Sequence, residues 1–68
     1  MNRIMTDPQI CHGKAHIRVT RVPVHVILDL LAAGENHQNV LRAYPHLTTE
    51  DIQACLKYAA KLATEGEL

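Results

Sequence analysis

Apolar positions recur at helical spacing three times along the chain, behind a stretch of different character. From the first of these, Val24, Ile27, Leu28 and Leu31 share one face, and Val26, Leu30 and Ala33 carry the apolar surface further round, which predicts a helix over about 24–33. Gly34 suits the position just past its end, where a left-handed backbone closes the last turn without a Cβ penalty. Asn36 is a capping residue for a second, shorter helix over about 37–44, with Val40, Leu41 and Tyr44 inward and Pro45 as its stop. Thr48-Thr49-Glu50-Asp51 then sets a hydroxyl at a cap and acids in a first turn, with Leu47 and Ile52 placed to close a hydrophobic staple. Ile52, Cys55, Leu56, Ala59, Ala60, Leu62 and Ala63 continue that period, predicting a helix over about 49–64 that stops at Gly66, with the last residues from Glu65 fraying.

Ahead of the helices, residues 9–19 are rich in strand-compatible side chains and are interrupted at Gly13, which tolerates the positive φ of a tight turn, so a short β-hairpin or ribbon is predicted there. Asp7-Pro8 reads as a turn before it, and Pro23 separates it from the first helix. The expected fold is therefore mainly α: a three-helix domain behind a short N-terminal β-ribbon.

Sixty-eight residues allow one domain, 1–68. A chain of this size buries only about 60% of the surface its unfolded form exposes, so a homodimer is the expected way to bury more. Cys11 and Cys55 are too few for a disulfide framework, and no charged segment followed by an apolar one opens the chain, which reads as cytoplasmic and reduced. Residues 22–33 form the longest nearly uncharged stretch, too short for a membrane span, so the expectation is a soluble protein with no membrane partner. The balance of seven basic and seven acidic side chains conceals an asymmetry. Residues 1–23 carry Arg3, Lys14, Arg18 and Arg21 against Asp7, net +3, whereas residues 43–68 carry Lys57 and Lys61 against Glu50, Asp51, Glu65 and Glu67, net −2. The basic end suits phosphate or an acidic protein surface, and is also what a solvated edge looks like.

The first two helices, joined through Ala33-Gly34-Glu35, suggest a helix-turn-helix, with Val40 in the apolar position six residues after the turn glycine. Leu30 and Glu35 depart from that motif, which favours a small residue and an apolar one respectively. On the second helix His37, Gln38, Asn39 and Arg42 face outward, and Gln38, Asn39 and Arg42 are of types that read base edges. Lys14, Arg18 and Arg21 are candidates for phosphate or partner contact. His12, His16 and Cys11 crowd the hairpin, but even with His25 or Cys55 added no pair has the spacing of a closed metal site; a metal is not expected. Cys55, on an apolar face, reads as a small buried hydrophobe. With no phosphate loop, nucleophile elbow or paired carboxylates, no catalytic residue or cofactor is expected, and the chain reads as a non-enzyme.

The string Asp7-Pro8-Gln9-Ile10-Cys11-His12-Gly13-Lys14-Ala15-His16-Ile17-Arg18-Val19-Thr20-Arg21-Val22-Pro23-Val24, then Ile27-Leu28-Asp29-Leu30-Leu31-Ala32-Ala33-Gly34, then Tyr44-Pro45-His46-Leu47-Thr48-Thr49-Glu50-Asp51-Ile52, resembles the DUF433 family from Asp7 to about Ala60. The family usually has Pro where Ala15 stands, Gly where Val19 stands, and an acidic second helix in place of His37, Gln38, Asn39 and Arg42. The resemblance implies a homeodomain-like three-helix domain behind a short β element. It also implies an antitoxin role beside a PIN-like ribonuclease toxin. Operator DNA is a further expected partner on the residues alone, since a dimer would set two copies of Lys14, Arg18 and Arg21 side by side for phosphates. In that reading the toxin meets either the acidic end, with Glu65 and Glu67, or the cationic ribbon, and Arg21, stiffened by Pro23, is the better inhibitory contact. The rival to this contact is that Arg21 pairs internally with Asp7 or Asp29. The rival functions are a DNA-binding regulator without a toxin partner and a structural oligomerisation module.

Overall fold

A computed structural model describes residues 3–65; Gly66 and Glu67, read above as a helix stop and part of an acidic end, lie outside the described residues. Strand β1 (Ile4–Met5) pairs antiparallel with β2 (His16–Ile17), Ile4 opposite Ile17 and Met5 opposite His16. Helices α1 (Val24–Ala32), α2 (His37–Ala43) and α3 (Thr49–Thr64) follow. The three helices agree with the sequence-based bounds to within a residue at each end.

The ribbon is present, but its first strand is not where residues 9–19 predicted it. Ile10 and Cys11 cannot act as that strand. The Ile10 N–H donates to the Asp7 carbonyl at 2.9 Å, and Cys11, His12 and Gly13 have φ of 54°, 55° and 79°. These three wind a left-handed turn, closed by Gly13 N–H donating to Ile10 O and Lys14 N–H donating to Cys11 O, each at 3.0 Å. Two of the three are not glycine, and a side chain in that region costs about 1–2 kcal/mol. The chain thus loops back, and β2 finds its partner at Ile4–Met5.

The caps explain the helix ends. Gly34, at φ 97°, sits in a Schellman arrangement: its N–H donates to Leu31 O at 3.0 Å and the Glu35 N–H to Leu30 O at 3.1 Å. The Asn36 side chain accepts from the Asn39 N–H at 2.8 Å. At α3 the Thr48 hydroxyl accepts from Asp51 N–H at 3.2 Å while Asp51 Oδ2 accepts from Thr48 N–H at 3.1 Å, a full capping box. Leu47 and Ile52, the staple pair, are both buried.

The core consists of Ile17, Val24, Ile27, Val40, Leu47, Ile52 and Cys55. Helix α1 lies against β2, α2 and α3. That is why its wide apolar face is largely used inside the domain: Leu28, Leu30 and Leu31 pack partly buried against the core. His16 is fully buried with it. Its Nδ1 lies 3.1 Å from the Lys14 carbonyl, which makes Nδ1 the protonated nitrogen, and its Nε2 has no partner among the described residues. Among the described residues no helix is long and apolar enough to cross a membrane.

Candidate partner-binding surface

The segment between β2 and α1 is a tight loop whose tip is Arg18-Val19-Thr20-Arg21. Ile17 N–H donates to Val22 O at 2.9 Å and Arg21 N–H donates to Ile17 O at 2.7 Å, which brings the two ends of the loop together. Arg21 carries the left-handed backbone here, at φ 62°, and its carbonyl accepts the Cys11 thiol at 3.4 Å. Both backbone polar groups of Arg21 are therefore bonded, and the residue is held between two loops that each contain a strained turn. Val19 sits at the tip, 88% exposed, between the two arginines.

Lys14, Arg18 and Arg21 are all exposed, and none has an ion-pair partner among the described residues. The internal pairing of Arg21 with Asp7 or Asp29 is not observed: Asp7 accepts the Gln9 N–H, and Asp29 faces His25 across one helical turn at 3.7 Å. Arg3 is different. Its Nη1 lies 3.0 Å from Asp51 Oδ1, so this cation is used to tie the ribbon to α3.

The outward residues of α2 form a local network. Asn39 Nδ2 donates to Glu35 Oε1 at 2.9 Å, and Arg42 Nη1 donates to Asn39 Oδ1 at 3.4 Å. Gln38 and Arg42 are exposed and Asn39 is half-buried. A carboxylate thus stands within the group expected to read bases, where it would oppose the approach of phosphates.

A groove of about 1080 Å³ opens between β1 and α3, and it was not legible from the sequence. Arg18 comes to it from β2's end and Arg3 from β1's start, while Lys57 and Lys61 come from the half of the chain that is acidic in sequence. Of the candidate residues it gathers only Arg18; Lys14, Arg21 and the α2 trio lie elsewhere. Its lining from α3, Glu50, Gln53, Ala54, Lys57, Tyr58 and Lys61, falls at helical spacing on one face, a pattern visible in the sequence and overshadowed there by the net charge of the segment.

The residues considered for metal binding do not converge. His12 is exposed, His16 in β2 is fully buried, and the Cys11 thiol is engaged by the Arg21 carbonyl. Among the described residues no group of three or more His, Cys, Asp or Glu side chains is placed to hold an ion. Cys55 is fully buried, and burial first, the Asp51 carboxylate second, push its thiol from 9.0 up to about 11.

Comparison with known proteins places this geometry among relatives. Residues 4–59 match the family described as "Protein of unknown function (DUF433)". Over 56 residues the chain is 36% identical to the Uncharacterized protein y4eO of Sinorhizobium fredii, covering 82% of this chain and 25% of that one. The crystal structure of a DUF433 member protein from Anabaena variabilis superposes with a TM-score of 0.86 at 34% identity, covering 96% of this chain and 64% of that one. The chain thus spans about a quarter of the length of the first relative and under two thirds of the second.

Proposed function

The chain belongs to the DUF433 family, and from that premise we propose that it is an antitoxin-like binding protein, not an enzyme, that neutralises a PIN-like ribonuclease toxin and contacts its operator DNA. One observation supports the reading most: Lys14, Arg18 and Arg21 stand exposed without ion pairs among the described residues, whereas Arg3, the remaining cation of the N-terminal segment, is engaged by Asp51. A Mg²⁺-dependent nuclease centre is a cluster of carboxylates. A cation delivered into it is attracted and competes with the metal. Arg21 suits that role because its backbone is already fixed, so it loses less freedom on binding than a side chain on a loose loop. The same cations double in a homodimer, which is the form expected to meet DNA phosphates.

The regulator reading, without a toxin, draws on Gln38, Asn39 and Arg42 of α2. It is the weaker of the two because Asn39 donates to Glu35 rather than standing unengaged. Affinity capture of the tagged protein in its native host tests the choice. A small acidic ribonuclease encoded beside it is the expected partner, and capture of operator DNA with no nuclease would favour the regulator.

A further inference from the structure

The open edge of β1 and the cationic face of α3 bound the same groove, and together they specify an occupant. In the antiparallel ribbon the Arg18 N–H donates to the Arg3 carbonyl at 2.7 Å, which makes Arg3 and Arg18 a hydrogen-bonded pair. The adjacent pair, Ile4 with Ile17, is then non-hydrogen-bonded, so the N–H and C=O of both residues point away from the ribbon's centre. On the β2 side this edge is covered: Ile17 N–H donates to Val22 O, Val24 N–H donates to Ala15 O at 3.0 Å, and His16 bridges to Pro23. On the β1 side the Ile4 N–H and C=O have no partner among the described residues, and Arg3, Ile4, Met5 and Thr6 all line the groove. Four consecutive residues on one wall are the signature of a strand edge, since side chains alone alternate between faces.

The facing wall is the α3 face from Glu50 to Lys61, about 16 Å long and enough to flank about five residues of extended chain. Met5, Ala54 and Tyr58 supply apolar contact. Arg18, Lys57 and Lys61 carry no ion pair among the described residues, and Glu50 is the one carboxylate in the lining.

We propose that this groove binds an extended acidic peptide segment of a protein partner, which adds to β1 as a third strand through the Ile4 backbone and sets its carboxylates against Arg18, Lys57 and Lys61. The unpaired backbone groups call for a peptide, which a nucleic acid strand does not supply. The charge selects an acidic one and opposes a second copy of this chain, whose own β1 edge would bring the same cations face to face. The inference goes beyond the antitoxin reading and stands without it, because it concerns a surface that Arg21 does not line.

The test uses the full chain and a labelled heptapeptide of alternating Glu and Val with blocked ends. Fluorescence anisotropy should show saturable binding, weakened about tenfold or more by Lys57→Glu with Lys61→Glu, both exposed helix positions. N-methylation of alternate peptide bonds should abolish it, and amide exchange should show Ile4 protected only when the peptide is present. Any of these results would overturn the proposal: no saturable binding, equal binding to the doubly substituted protein, unchanged binding of the N-methylated peptide, or binding of an oligo-dT of equal charge in place of the peptide. Protection of the Ile4 amide in the free protein that disappears on dilution would assign the edge to a second copy instead, and overturn it equally.

Discussion

Arg3 and Asp51 are joined by a 3.0 Å contact between Nη1 and Oδ1 that links the first strand to the first turn of α3. The same carboxylate uses Oδ2 to accept the Thr48 N–H, so one side chain caps a helix and fastens the ribbon to it. Asp51 is 6% exposed, whereas the Arg3 side chain is 41% exposed.

The two partners should therefore contribute unequally. Asp51→Ala removes the cap and leaves a buried site without its acceptor, at a cost of about 2–3 kcal/mol; Arg3→Ala loses a largely solvated ion pair, at about 1 kcal/mol or less. Urea unfolding of the two variants and the double variant measures this. The double variant should be no less stable than Asp51→Ala by more than a few tenths, because the pair is already lost.

Arg21 adopts a backbone conformation that glycine reaches without strain. Arg21→Gly should leave the melting temperature unchanged or raise stability by about 0.5–1 kcal/mol, while Arg21→Ala should be close to neutral. A large loss in both, read by circular dichroism on heating, would show that the guanidinium itself holds the fold.

Cys55 gives a pH dependence with a definite sign. The folded state holds the thiol proton up to about 11, whereas the unfolded chain releases it near 9.0. The contribution is fully present below 9.0 and is lost as pH rises towards 11, falling by about 2–3 kcal/mol across that window. Unfolding of wild type and Cys55→Ala between pH 8 and 11 should show wild type alone losing this increment. In native protein near pH 8 a thiol reagent should modify Cys11 and reach Cys55 only after denaturant is added.

A core this small makes association the expected way to bury more apolar surface. Sedimentation at high micromolar concentration should give a homodimer, with Val19 and Leu56, the exposed large apolar side chains among the described residues, as places where polar substitution shifts the equilibrium towards monomer. A monomer at that concentration contradicts the expectation.

The helices were legible because their signals are local: Asn36 and Thr48 cap within three residues, and Gly34 closes α1 within two. The ribbon was legible in kind but not in place. Its pairing joins Ile4 to Ile17 across a loop in which Cys11 and His12 take a conformation that residue type does not advertise. Of the candidate residues, Lys14, Arg18 and Arg21 were picked out by charge, and all three are exposed. Lys57 and Lys61 were not, because charge summed along the chain set them among acids, while the packing of α3 against β1 sets them beside Arg18.

Under the proposed function, Arg21, its backbone held in the loop between β2 and α1, is the cation that silences a nuclease. Co-expression of the protein with a PIN-like ribonuclease, scored by growth, decides between the readings through Arg21→Gly, with Arg21→Ala as the second variant and circular dichroism as the check on folding. Both variants should fold and both should release the toxin. Folded variants that still neutralise it would show that Arg21 is not the inhibitory contact.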